Sequence, residues 1–155
     1  MKANLILSVA LVLTSMSSFA ASGVGGGTIG SSQKTKDLRT LNTLLQVGVA
    51  SEQFMSQVHV GLDQIECAYS MVSKVYDCNM TDISANEAAG ATLNLTGNKA
   101  KAVYAILVKA GAPSDNGMGK IFLSAKSIRC SQAVAGVMDG SAAERTHCSF
   151  DVSAD

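Results

Sequence analysis

Four cysteines constrain this chain more than any other feature, because they fall into two local pairs. Cys67 and Cys78 lie 11 residues apart, and Cys130 and Cys148 lie 18 apart. An even number of cysteines in a short exported chain is typical of a disulfide framework. Of the three possible connectivities we predict Cys67–Cys78 and Cys130–Cys148. Neither spacing fits a zinc finger or ribbon, so no metal site is expected.

The residues around the cysteines favour two antiparallel hairpins. Residues that face each other across such a hairpin have numbers that add to a constant. The pairs Cys67 with Cys78, Tyr69 with Tyr76 and Ile65 with Met80 share one sum of residue numbers. The pairs Cys130 with Cys148 and Ile128 with Phe150 share another. Because side chains alternate along a strand, each set lies on one face. The second hairpin centres on Asp139-Gly140, a dipeptide that favours turns.

The N-terminus predicts export. Lys2 precedes an apolar run at residues 5–13, and small residues lead to a cleavage site after Ala20, so we interpret residues 1–20 as a signal peptide. The run is much shorter than the roughly 20 residues that span a bilayer, so no stable membrane insertion is expected once the signal is removed. Residues 21–33, rich in glycine and serine, predict a flexible tail. The expected location is periplasmic or secreted.

The charge balance argues against two classes of partner. The chain has 12 basic and 12 acidic residues, and losing Lys2 with the signal leaves a net charge of −1. Nucleic acids and anionic membrane surfaces both require clustered lysine and arginine. We therefore expect a protein partner and no nucleic acid.

An internal repeat is suggested when the chain is compared with itself at an offset of 63 residues. Residues 34–67 then align with 97–130 without a gap. The identical pairs are Lys36 with Lys99, Leu44 with Leu107, Gly48 with Gly111, Ser51 with Ser114, Met55 with Met118, Ile65 with Ile128 and Cys67 with Cys130.

Each predicted repeat begins with an amphipathic helix. The apolar face is predicted at Leu38, Leu41, Leu44 and Leu45 in the first repeat, and at Val103, Tyr104, Leu107 and Val108 in the second. Gly48 and Gly111 mark the predicted helix ends.

The predicted fold class is α+β. A tandem helix-strand-strand repeat forms a four- or five-stranded antiparallel sheet, covered on one face by two helices and closed by the two hairpin disulfides. Leu93 and Leu95 alternate with polar residues and predict one further short strand before the second helix. Residues 34–155 form a single domain made of repeats 34–82 and 97–152.

No catalytic or cofactor motif satisfies its structural requirements. Residues 25–30 match GxGxxG, but the segment where the required strand would lie is the predicted signal peptide, so no cofactor is expected. His59 and His147 are the only histidines, both on predicted strands, and no nucleophile is singled out. We therefore assign no catalytic residue.

At the level of architecture, a tandem helix-plus-sheet repeat with one disulfide in each copy resembles the beta-lactamase-inhibitor proteins. It is more loosely similar to single-copy cystatin-type inhibitors. The resemblance implies a protein that blocks enzyme clefts with loops and sheet faces, and it is an analogy of fold only.

We therefore expect a non-catalytic binding module, with inhibition of an extracytoplasmic enzyme as its most specific form. The expected contact surface consists of three segments, Met71 to Lys74, Pro113 to Gly119 and Val134 to Glu144. Its main candidates are Met71, Val72, Val134, Val137 and Met138, and residues 134–138 form an apolar stretch that a monomer rarely displays without use. Two alternatives stay open: a small hydrolase that uses His59 or His147, and an envelope structural component that assembles through a free sheet edge.

Overall fold

A computed structural model describes residues 32–83, 91–134 and 141–152 of the protein. These ranges contain nine helices and strands. They are α1 (Gln33–Val47), β1 (Ser51–Phe54), β2 (Gln57–Ser70), β3 (Tyr76–Asp82), β4 (Ala91–Thr96), α2 (Gly97–Ala110), β5 (Ser114–Gly117), β6 (Lys120–Ala133) and β7 (Thr146–Asp151). The predicted α+β class is confirmed. The predicted signal peptide, nearly all of the predicted tail and the turn at Asp139-Gly140 lie outside the described residues.

Both helices end as the sequence predicts. Gly48 and Gly111 adopt left-handed backbone conformations, with φ of 107° and 80°, and their N–H groups reach back to the last helical carbonyls. At the start of α1 the hydroxyl of Ser32 accepts a hydrogen bond from the Thr35 N–H, so helical structure begins one residue before the predicted domain boundary. Within the described ranges, neither helix has the length and hydrophobicity to cross a membrane.

The long strands β2 and β6 form the centre of the sheet. They pair antiparallel along their whole length, from Gln57 opposite Ala133 to Ser70 opposite Lys120. The far side of β2 is shared by β1 and β3, and the far side of β6 by β5 and β7. β4 then pairs with β3, which confirms the predicted short strand before the second helix.

The sheet has seven strands where we expected four or five. The additional strands, β1 and β5, have four residues each and are almost entirely exposed. Strands this short and polar show no apolar alternation, so the sequence gives no periodic signal for them.

The predicted disulfides Cys67–Cys78 and Cys130–Cys148 are both confirmed. Each joins residues that lie directly opposite in adjacent strands, and the predicted pairs Tyr69–Tyr76 and Ile128–Phe150 are in register with them. The predicted pair Ile65–Met80 falls at a bulge, where Ile65 shares the position opposite Met80 with Gln64. The β2–β3 register shifts between Asp63 and Glu66, where Gln64 has a φ of 49°, so an extra residue of β2 stands opposite Met80.

This irregularity allows the apolar residues on both halves of β2, and on both halves of β6, to face the core. The buried positions of β2 are Val60 and Leu62 and then Ile65 and Cys67, and those of β6 are Leu123 and Ala125 and then Ile128 and Cys130. In each strand the alternation breaks once, near the middle. α1 packs on β7, β6 and β2, α2 packs on β3, β4, β2 and β6, and the two helices also contact each other.

The predicted helix faces are correct at their centres and wrong at one edge. Leu41, Leu44, Val103 and Leu107 are buried, whereas Leu45 is 41% and Val108 56% exposed. Five more residues belong to the buried faces than the apolar spacing indicates, namely Asp37, Thr40, Val47, Ala100 and Ile106. The true faces follow the i, i+3, i+4, i+7 spacing, and two of these positions carry polar residues that a search for apolar residues passes over.

Adjacent leucines in α1 provide a direct test of this helix orientation. We expect Leu44→Ala, at a fully buried site, to lower the free energy of unfolding by about 3 kcal/mol. We expect Leu45→Ala, on the exposed side, to lower it by less than about 1 kcal/mol. Urea unfolding followed by circular dichroism measures both, and equal losses would contradict this orientation.

Candidate functional site

The turn between β2 and β3 is held in one conformation by Ser70. The Ser70 N–H donates to the Val75 carbonyl at 2.9 Å, and the Lys74 N–H donates to the Ser70 carbonyl at 2.9 Å. The Ser70 hydroxyl accepts from the Ser73 N–H at 3.2 Å. Lys74 has a positive φ of 58°, which closes the turn. Because polar groups of the backbone satisfy one another, the apolar side chains of Met71, Val72 and Val75 are left outside.

The turn between β5 and β6 also exposes an apolar side chain. Met118 and Gly119 have φ of 50° and 75°, the combination found in a type I′ hairpin turn. Glycine, asparagine and aspartate suit the first of these positions, whereas methionine there costs about 1 kcal/mol. The Met118 side chain is fully exposed, so no core contact compensates this cost.

The two turns meet and form one surface. The Met71 N–H donates to the Gly119 carbonyl at 2.8 Å. A β-carbon placed on Gly119 would lie 3.5 Å from Cγ2 of Val72, which is 85% exposed. We call Met71, Val72, Val75 and Met118 the tip surface. All four side chains are substantially exposed, although they belong to turns that are hydrogen-bonded to each other.

A cluster of three tyrosines lies at the strand ends that carry the tip surface. The Tyr69 and Tyr76 rings are 4.5 Å apart, and Tyr104 of α2 meets Tyr76 edge-on with ring centroids 5.2 Å apart. Burial raises the pKa of Tyr104 above its ordinary value, and the nearby Tyr76 and Tyr69 hydroxyls raise this pKa further. The cluster joins β2, β3 and α2, so the tip surface is supported by packed side chains.

Beside the tip surface, β2, β3, β4 and β6 form a shallow depression of about 280 Å³. Its lining includes Glu66, Asp77, Asn79 and Asn94, with Phe122 partly exposed at one side. No lysine or arginine lines it. We call it the acidic depression, and its charge favours a cationic or hydrogen-bonding partner.

Val134 lies at the opposite end of the sheet. Its N–H donates to the Ser56 carbonyl at 2.8 Å, next to Met55, which is 82% exposed, and Phe54. Since β2 and β6 each have 14 residues, the two ends are separated by roughly 40 Å along the strands. The structure brings Met71, Val72 and the segment Pro113 to Gly119 together, but it separates them from Val134. Val137 and Met138 lie outside the described residues.

The two histidines lie on β2 and β7, which pair with opposite sides of β6. Glu52 stands opposite His59, His59 opposite Ser131, and Ser131 opposite His147. The imidazole Nδ1 of His147 lies 3.7 Å from the carboxylate of Asp37, which is buried in α1. The Ser131 hydroxyl makes no hydrogen bond to either imidazole, so no nucleophile and base are joined in this row.

Among the described residues, no three side chains of histidine, cysteine, aspartate or glutamate are grouped closely enough to hold a metal ion, and all four cysteines are in disulfides.

Sequence reasoning missed two parts of the exposed surface, Phe54 with Met55 and the space between the helices. A signal for the first was present, since Met55 and Met118 are identical in the 63-residue alignment and both precede a small residue. No local pattern signals the second, because it depends on how two helices pack.

Comparison with protein-family models, curated proteins and solved structures finds no match to this chain. The resemblance to the beta-lactamase-inhibitor proteins therefore remains one of element order and disulfide number. Function has to be argued from the surfaces themselves.

The raised pKa of Tyr104 predicts how stability depends on pH. The folded state binds this phenolic proton more tightly than the unfolded state, so its contribution is complete below pH about 10 and is lost as pH rises through the folded pKa. We expect Tyr104→Phe to reduce this alkaline loss of unfolding free energy. Its stability at pH 7 should change little, because the hydroxyl makes no hydrogen bond to a described residue. Urea unfolding at neutral and alkaline pH measures this, and an unchanged alkaline loss in the variant would contradict it.

Proposed function

We propose that this protein is an exported, non-catalytic protein-binding module that recognises its partner with the tip surface. The observation that carries the proposal is the exposure of Met71, Val72, Val75 and Met118 on two turns joined by the Met71–Gly119 hydrogen bond. Contiguous exposed apolar side chains of this kind mark interaction sites in soluble proteins.

The arrangement suits tight binding because it is ordered before the partner arrives. Side chains on hydrogen-bonded turns lose less conformational freedom on binding than side chains on mobile loops. The two methionines add flexible, polarizable contacts that adapt to the shape of an apolar pocket. The unfavourable backbone conformation of Met118 supports the same interpretation, since strain at an exposed residue is a reason to look for a function there.

The acidic depression defines the rest of the proposed interface. Glu66 and Asp77 provide negative charge beside an apolar centre, an arrangement of core and polar rim that is common in protein interfaces. The expected partner is a protein with an apolar cleft for the tip surface and basic groups along one side of that cleft. An extracytoplasmic enzyme whose cleft is blocked by the tip is the most specific form of this proposal.

Export is part of the proposal. Two intramolecular disulfides fit an oxidising compartment, and the N-terminal sequence has the pattern of a signal peptide.

We further propose that the domain is a tandem duplication whose helices cover one face of the sheet. The bounds of β1 and β5, and those of β2 and β6, differ by 63 residues, the offset of the sequence alignment. Equivalent contacts also recur. Sγ of Cys78 lies 3.4 Å from the Ala100 carbonyl and Sγ of Cys148 lies 3.3 Å from the Asp37 carbonyl, so each disulfide contacts a helix at the equivalent residue.

The two ends of the sheet provide matched variants for a test of the tip surface. We expect Val72→Asp with Met118→Asp to weaken partner binding by more than about tenfold, because charges replace apolar contacts at the centre of the interface. Met55→Asp is the control, since Met55 has a positive φ of 53° and is equally exposed at the opposite end. Aspartate tolerates this backbone conformation, so the methionine variants should fold.

The measurement is capture from the host's envelope and culture fractions, followed by titration of the purified partner. A protein retained by the wild type and by Met55→Asp, but lost with the double variant, would support the proposal. Equal capture by all three would overturn the assignment to the tip surface. Binding should also weaken as salt concentration rises, because the acidic depression contributes charge.

A second candidate is a small exported hydrolase, because the cross-strand row of Glu52, His59, Ser131 and His147 has the residue types of a hydrolytic site, although no hydrogen bond joins Ser131 to an imidazole. In it Ser131 would be the nucleophile and His59 the base, oriented by Glu52. Under the binding proposal, Ser131→Ala and His59→Ala should leave partner affinity unchanged. Turnover of an ester or peptide panel that is lost in both variants would instead favour the hydrolase.

A further inference from the structure

A groove of about 630 Å³ runs between α1 and α2 and shares no lining residue with the tip surface or the acidic depression. On the α2 side its wall consists of Ala102, Ala105, Ile106 and Ala110, and Phe150 of β7 contributes an aromatic side chain. Because three of the four wall residues on α2 are alanines, the side chains do not fill the space between the helices. The volume lies in the range of small-molecule sites.

The groove has a cationic rim. Lys36 and Arg39 line it from α1, and Lys109 lines it from the last turn of α2. Lys36 and Arg39 are three residues apart and therefore project from the same side of the helix. No aspartate or glutamate lines the groove, and none of the three bases has a salt bridge to a residue within the described ranges.

The groove lining has few other polar groups, and some of them already make hydrogen bonds within α1. The hydroxyls of Thr40 and Thr43 donate to the carbonyls of Lys36 and Arg39 at 3.0 and 2.8 Å. The site thus provides an apolar wall, uncompensated positive charge and few free hydrogen-bonding groups. A peptide strand would leave its backbone N–H and C=O groups without partners on the alanine wall. A ligand with an alkyl chain and a single anionic head satisfies all three features.

We infer that this groove binds a fatty acid, with its alkyl chain along the alanine wall of α2 and its carboxylate among Lys36, Arg39 and Lys109. The inference is independent of the proposed protein partner, because it uses different residues and a different surface. Binding should weaken as salt concentration rises, since the head is held by charge at a partly open site.

Isothermal titration of the disulfide-intact protein with laurate, below its micelle concentration, tests the inference. We expect saturable binding of one laurate per chain, and no saturable binding of dodecyltrimethylammonium, which has the same tail and the opposite charge. Lys36→Glu with Arg39→Glu should weaken laurate binding by at least about tenfold. The matched control, Lys99→Glu with Lys120→Glu, makes the same change in net charge outside the groove and should bind like the wild type.

A second variant keeps the test informative if the first destabilises α1. Ala105→Glu places a negative charge at an exposed position of the wall without removing a base, and it should weaken laurate binding to a similar extent. Absence of saturable laurate binding would overturn the inference. Equal affinity for the cationic surfactant, or unchanged affinity in both groove variants, would overturn it as well, because the site would then be unselective or elsewhere.

Discussion

The continuous antiparallel pairing of β2 with β6 is the interaction on which the rest of this structure depends. Every other strand except β4 pairs directly with one of these two, and both disulfides have one cysteine in them. Because the inner sides of β2 and β6 are occupied by each other, the short strands are confined to their outer sides. Long-range pairing of this kind is costly in loop entropy, and each local disulfide links one of the long strands to a neighbouring strand.

The break in alternation near the middle of both long strands determines what each face can carry. Without it, residues beyond the break would present their apolar side chains to the other face, since the side-chain period of a strand is two. With it, Leu62 and Ile65 share one face, as do Ala125 and Ile128. Both helices contact β2 and β6, whose buried residues stay on one face across the break.

A nearly neutral chain here supports two surfaces of opposite charge. The acidic depression has Glu66 and Asp77 with no base in its lining, and the groove between the helices has Lys36, Arg39 and Lys109 with no acid. Net charge is an average, so it argues against a general affinity for polyanions without excluding a local anion site. The two proposals follow from this separation, since the partner expected at one surface would be repelled by the other.

The sequence by itself determined the features that depend on near neighbours in the chain. Cys67 and Cys78, Tyr69 and Tyr76, and the glycines at 48 and 111 were predictable because a hairpin or a helix end is specified by a few adjacent residues. Only the tertiary structure decided which exposed residues share a surface. Met71 and Met118 are 47 positions apart, and a backbone hydrogen bond from Met71 to Gly119 joins their turns, whereas Val134 lies at the other end of the sheet. Helix packing likewise decides that Leu45 lies outside the core and that a groove forms beside Ala105. Both features depend on contacts between elements that are distant in sequence.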